Sequence, residues 1–291
     1  MIPLIWLFAL LAFGQVARPP VTSTKPAPAH TELPNLDEIV RQSLQREIMN
    51  AAVLDNYIYE AKEATTTFDG GGRATKVESK VTEYLWVGGS RYKRLTEENG
   101  KPLTGAAVVR EQRKLDAELA KRRQESASDR DKRLGAETRR RAESRQTRDE
   151  VVKAFNFRLV GEESVAGAKC WKVLAEPKPG YEGKTRISRF FPKMRGTFWV
   201  NQQGYQWLRV EAETLDAITF GGFLAKLDKG AVFRLEQMRI GDDLWALRQL
   251  STRVTARALM MRFNQGQQIE FRNYRKFSAE SRMLDGGTPS H

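Results

Sequence analysis

The chain has 291 residues, with 49 Lys+Arg against 36 Asp+Glu, a formal charge of +13, one cysteine and two histidines. Both histidines are near the ends, His30 in a Pro-rich stretch and His291 at the last position, so no imidazole is available to a folded core. That excludes a Ser-His-Asp or Cys-His nucleophile arrangement and a histidine-ligated zinc, and the lone Cys170 excludes an intrachain disulfide.

Ile2 to Phe13 is an apolar run of 12 residues, short of the roughly 20 that a membrane-crossing helix needs. It fits the core of a secretory signal peptide, with Ala12-Phe13-Gly14 as the cleavage site, or else a short uncleaved anchor. The expected address is a bacterial periplasm or the exterior. Residues 1–17 are thus read as a signal segment and 18–35, with its prolines, as an extended linker. Residues 36–280 form one domain, and 281–291 a tail. Asn35 or Asp37 caps a short helix reaching Met49-Asn50, with Leu36, Ile39, Val40, Leu44 and Ile48 on one face.

β texture follows. Asn56 to Phe68, Ala74 to Val87 and Arg91 to Thr96 are strands separated by Asp69-Gly70-Gly71-Gly72 and Gly88-Gly89-Ser90, with a further turn at Asn99-Gly100. Residues 106–150 interrupt the meander with 14 Lys/Arg, 10 Asp/Glu and few large apolar side chains. The composition predicts a helix, largely solvated or loosely laid on the body, that Gly135 splits in two. Strands resume at Phe155–Glu162, Lys169–Ala175, Gly196–Asn201, Tyr205–Thr214, Val232–Ile240, Trp245–Thr255, Ala258–Phe263 and Gln268–Phe277, with one turn at Asn264-Gln265-Gly266. The expected fold is mainly β (α+β): an antiparallel incomplete β-barrel of about eleven strands, with a short covering helix and a long charged helical insert.

Alternation places Leu208, Val210 and Ala212 opposite Arg209, Glu211 and Glu213, so one sheet face is apolar. The first helix and the segment Ile218 to Leu227 are its candidate plugs. Both are small for so many strands, which leaves either tight sheet-on-sheet packing or an apolar cavity.

Motifs for chemistry are weak. Gly183-Lys184-Thr185 ends like a phosphate loop, but Lys178 stands where the motif needs its first glycine. Glu162-Glu163 and Asp242-Asp243 are neighbours at turns, pointing to opposite faces rather than converging as paired catalytic acids do. Cys170 reads as a small buried apolar residue. The expectation is no catalysis, no cofactor and no metal. Lys178, Lys184, Arg186, Arg189, Lys193 and Arg195 share one stretch with a single acid, Glu182. On an exported chain such a segment suits an anionic membrane surface or headgroup, and no nucleic-acid motif accompanies it.

Two hairpins carry a resemblance. Gly196-Thr197-Phe198-Trp199-Val200-Asn201 leads into Tyr205-Gln206-Trp207-Leu208-Arg209-Val210-Glu211, and Gly161-Glu162-Glu163 leads to Trp171-Lys172-Val173. They resemble hairpins of the outer-membrane lipoprotein carrier and sorting proteins (LolA-like). The resemblance implies an unclosed barrel around helices, with an apolar concavity for acyl chains. The charged insert departs from the simplest carriers. The expected function is a non-catalytic, monomeric carrier of a lipid or acylated protein. Its expected lining is Leu208, Val210, Phe233, Leu235, Ile269 and Phe271, with Phe220, Phe223 and Leu224 as plug. The alternative is an envelope sensor or interaction protein that docks through 106–150.

Overall fold

The computed structural model describes residues 35–277 apart from 221–224, 243 and 259–260; the expected signal segment 1–17, the expected linker up to residue 34, and residues 278–291, which include the expected tail, lie outside the described residues. Helix α1 (Leu36–Leu54) starts at Asn35, whose side chain accepts from the Asp37 amide at 3.0 Å, satisfying one of the donors a helix start leaves open. Its buried residues are Ile39, Val40, Ser43, Leu44, Glu47, Asn50, Ala51 and Leu54. This is the three-to-four spacing of a single face, and three polar side chains lie within it.

Strands β1 (Tyr57–Phe68), β2 (Ala74–Val87), β3 (Ser90–Glu98) and the two-residue β4 (Lys101–Pro102) form the first meander. The insert follows as α2 (Ala106–Arg123) and α3 (Ala127–Ala154). Then come β5 (Phe155–Val165), β6 (Ala168–Pro177), a short 3-10 helix (Ser188–Lys193), β7 (Met194–Asn201) and β8 (Trp207–Thr214). The chain closes with β9 (Ile218–Phe220), β10 (Ala225–Leu227), β11 (Val232–Arg239), β12 (Trp245–Ala258) and β13 (Met261–Lys276).

The strands make one 13-stranded antiparallel sheet in the order β4-β3-β2-β1-β13-β12-β11-β8-β7-β6-β5, with β9 and β10 attached beside β12. Among the described residues β4 and β5 do not pair, so the sheet is an open half-barrel. The two helices of the insert bridge its two edges along the chain. The count exceeds the expected eleven because β4, β9 and β10 are too short to show a period. Conversely, two expected strands are one. Asn264, Gln265 and Gly266 pair in unbroken register with Thr255, Val254 and Arg253, so no turn divides β13. Gly266 belongs there because a Cβ would stand 3.1 Å from the Phe68 ring packed across it.

The insert also differs from expectation. Gly135 lies within α3; the break falls at 124–126, where the Ser126 side chain caps the new helix by accepting from the Asp129 amide at 3.1 Å. The helix is not laid loosely on the body either. Its last third buries Ser144, Thr147, Arg148, Glu150, Val151 and Ala154 against α1 and the sheet. At the other end, Arg122 bonds the carbonyls of Val87 and Ser90, and Arg133 bonds that of Gly88 at 3.0 Å. The insert therefore grips the β2–β3 turn and inserts its C-terminal third into the core. Of the segment expected as a second plug, Ile218–Phe220 and Ala225–Leu227 pair with each other as strands beside β12, and residues 221–224 lie outside the described residues.

Candidate ligand cavity and its buried polar floor

Between α1 and the concave face of the sheet lies an apolar cavity of about 100 Å³. α1 contributes Ala51 and Leu54, α3 Val151, and the 3-10 helix Phe191. The sheet contributes Phe198, Trp207, Val210, Phe233, Leu235, Leu247 and Leu250 among others. Such a void is smaller than the roughly 150 Å³ dry cavity that accepts a benzene ring. It holds a few methylene groups; a whole acyl chain requires a cover element to move.

Polar side chains gather at one end of the cavity. Glu47 and Asn50 descend from α1 and Gln237 rises from β11. Gln237 donates to Glu47 Oε1 at 2.9 Å and Oε2 at 3.1 Å, and Gln206, just before β8, donates to Glu47 Oε1 and to the Gln237 carbonyl oxygen at 2.5 Å each. Asn50 donates to the Gln206 carbonyl oxygen. Burial pushes the Glu47 carboxyl up to about 7, opposed by the Gln237 and Gln206 donors and the charge of Arg148. Arg148, on α3 and 1% exposed, is pushed down to about 10 by the same burial, with Glu47 and Asp55 opposing. Asp55, beyond the end of α1, is raised by burial despite Arg141 at 3.6 Å and Arg91 at 3.9 Å. A carboxyl that Gln206 and Gln237 tie to the sheet thus lies within electrostatic reach of a guanidinium on α3, each nearly without solvent.

The expected lining residues divide. Val210, Phe233 and Leu235 are brought together in the cavity wall. Leu208 is not: a β-bulge leaves it without a partner between Trp207↔Val200 and Arg209↔Trp199. It clusters with Val165, Cys170 and Trp199 instead. The extra residue breaks the alternation that put it in phase with Val210. Ile269 and Phe271 lie behind Leu247 and Leu250, in a cluster with Tyr59 and Ala61. Phe220 meets Phe190 at 5.0 Å in the cluster of Ile218, Leu227 and Phe233. Phe223 and Leu224 lie outside the described residues.

The basic segment is fastened to α3. Glu150 accepts from the Lys184 amide at 2.9 Å and Glu143 from the Arg186 amide at 3.3 Å, while Thr185 and Ser188 are buried against Thr147. Lys178 bonds the Val152 carbonyl, Lys193 bonds that of Ala217 near Asp216, and Arg195 pairs with Glu213. Lys184, Arg186 and Arg189 are exposed and form no ion pair among the described residues. The structure accounts for the Gly-Lys-Thr motif: a Cβ on Gly183 would stand 2.1 Å from the Ser188 backbone, so close packing demands the glycine.

Sequence reading missed Glu47, Asn50, Gln206, Gln237 and Arg148. A signal existed for the first two, since they continue the helical stripe of Ile39, Val40 and Leu44. Nothing local marks the other three. Among the described residues no group of acids, cysteines or histidines is arranged to hold a metal, and no helix is long and apolar enough to cross a membrane.

No family model matches the chain, and no curated protein does. Among solved structures it is similar to a DUF1329 family protein from Desulfovibrio piger, at 14% identity over 84% of this chain and 98% of that one, with a TM-score of 0.35. It is similar to a domain described as an outer membrane lipoprotein-sorting protein from Vibrio parahaemolyticus, at 9% identity over 84% and 94% of the two chains, TM-score 0.39. A LolA superfamily protein from Nitrosomonas europaea follows, at 9% identity over 85% and 96%, TM-score 0.35.

Proposed function

We propose that this chain is a non-catalytic, periplasmic binding protein or carrier that holds the acyl chain of a lipid or acylated protein in the half-barrel. The observation carrying this reading is the cavity between α1 and the sheet, walled by Trp207, Phe198, Phe191, Phe233, Leu235 and Leu247. Each methylene buried there contributes about 0.8 kcal/mol, so affinity grows with the length of chain admitted. The half-barrel is open at its β4 and β5 edges, and its cover is made of separate elements, α1, α3 and the 178–195 segment. A chain longer than the resting void enters by displacing one of them. Lys184, Arg186 and Arg189, with Lys178, Lys193 and Arg195 beside them, then offer cations to an anionic headgroup or membrane surface.

The test is native mass spectrometry of the purified protein, together with its binding of the neutral fluorescent probe N-phenyl-1-naphthylamine. Co-extracted lipid or saturable, blue-shifted probe fluorescence is the expected result. A lipid-free protein that leaves the probe dark overturns the reading.

One observation favours a second reading, an envelope sensor or interaction protein. Helix α2 buries only Leu115, and Val108 and Val109 are each 47% exposed beside its charges. Replacing 106–123 by a short linker separates the two readings. Probe binding persists in a carrier, whereas capture of a protein partner is lost in a sensor. Removal of the full 106–150 stretch would not discriminate, because Ser144, Thr147, Arg148 and Glu150 are core.

A further inference from the structure

The cavity is apolar except at one end, and the charge at that end is asymmetric. Glu47, Asn50 and Gln237 face it. Arg195 and Arg234 also border it, but their side chains are half exposed and pair with Glu213 and Glu211 directly across the sheet ladder. They alternate with Met194 and Phe233, which point the other way, into the buried cluster. Arg148 acts on Glu47 from the α3 side, against the larger effect of burial, and is not among the residues that line the cavity. Among the described residues, a ligand group reaching the polar end therefore meets a carboxyl and two amides, the bordering arginines being paired with Glu213 and Glu211.

Hydrogen-bond capacity points the same way. A carboxylate has about four acceptor sites on its two oxygens. Among the described residues, Glu47 Oε1 accepts from Gln206 and Gln237, and Oε2 accepts from Gln237. These bonds use three of the four sites, and the fourth, on Oε2, is the one a donor from the cavity would take. A hydroxyl supplies that donor. A ligand carboxylate supplies none and adds like charge in a site with little water to screen it.

We propose that the cavity takes an uncharged chain bearing a hydroxyl in preference to the same chain ending in a carboxylate, with Glu47 accepting the hydroxyl's hydrogen bond. The inference rests on the ligand-binding reading above and names its ligand class. Glu47 also sets a pH dependence. The charged groups acting on it are Arg148 from α3 and, through Arg148, Asp55 beyond α1; β11 and the residues before β8 present only the neutral Gln237 and Gln206. Between about pH 8 and about pH 6 a free carboxylate stays ionised, since its ordinary value lies near 4 to 5, while Glu47 gains its proton.

The experiment displaces bound N-phenyl-1-naphthylamine with dodecanol and with dodecanoate. At about pH 8 dodecanol is expected to work at about tenfold lower concentration, which corresponds to 1.4 kcal/mol. That gap should close at about pH 6, and in Glu47→Gln at about pH 8, where folding is checked by circular dichroism. Equal or better displacement by dodecanoate at about pH 8, or a gap undiminished at about pH 6, overturns the inference while leaving chain binding intact. If Glu47→Gln fails to fold, the pH comparison on the unaltered chain decides. Failure of the probe and both chains to bind overturns this inference and the carrier reading together.

Discussion

Gln237 on β11 donates to both carboxyl oxygens of Glu47 on α1, at 2.9 and 3.1 Å, and so joins the helix to the sheet across 190 residues of sequence. The two side chains stand where the apolar cavity ends. Through them the same contact that orients α1 also shapes the polar end of the site.

Glu47 makes stability depend on pH in a defined direction. Its carboxyl titrates at about 7 in the folded chain against an ordinary 4.5. Between those values the folded state holds a proton that the unfolded state has released, so this group's contribution is complete below about 4.5 and is lost as pH rises through 7. Each tenfold difference in proton affinity between the two states is worth about 1.4 kcal/mol, so the loss is on the order of 3 kcal/mol. Urea midpoints should fall between about pH 5 and pH 8. In Glu47→Gln the fall should be much reduced, and an unaltered slope in that variant would remove Glu47 as its source.

Arg148 acts electrostatically on both Glu47 and Asp55, the latter already paired with Arg141 and Arg91. Arg148→Met keeps the apolar stem and leaves two buried acids without it, an expected cost of about 3 to 5 kcal/mol. Adding Glu47→Gln removes one of those acids and should recover part of the loss. A double-mutant cycle by chemical denaturation measures the coupling. Strict additivity would mean that the two side chains do not act on one another.

Ala51 faces the cavity from α1 and is 2% exposed. Leucine is a good helix former there, and its added methyl and methylene groups occupy the void. Ala51→Leu is expected to change stability by no more than about 1 kcal/mol and to weaken fluorescent-probe binding about tenfold or more. Undiminished probe binding in a folded Ala51→Leu protein would place the ligand elsewhere.

Gly183 lies against the start of the 3-10 helix, where a Cβ would fall 2.1 Å from the Ser188 carbonyl carbon. Because that obstacle is backbone, it cannot be relieved by a side-chain rotation. Gly183→Ala should cost about 2 kcal/mol or more and release the segment 181–191 from α3. Hydrogen exchange of the Thr185, Arg186 and Ser188 amides reads this directly, with protection expected to fall further than in β1 or β13. A variant with native protection across that segment would refute the close contact.

The hairpins, the turns at Asp69–Gly72 and Asn99-Gly100, the Asn35 cap, the helical character of the insert and the mainly antiparallel class are all legible in the amino-acid order. They depend on local physics: period-two alternation, left-handed turn positions and capping act over a few residues. Alternation also marks three residues of the cavity wall, Val210 on β8 and Phe233 and Leu235 on β11. It cannot place Leu208, because a bulge is a property of two strands and is invisible in one. The 264–266 stretch resembles a turn for a similar reason: its glycine answers to the Phe68 ring on β1, at the other end of the domain's sequence. Which way the insert faces, and which charges go inside, depends on the assembled fold. A glutamate or arginine on a helix reads as solvated until its partners are known. For Glu47 those partners are Arg148, Gln206 and Gln237, supplied by three elements that lie apart along the chain and that folding brings to one point.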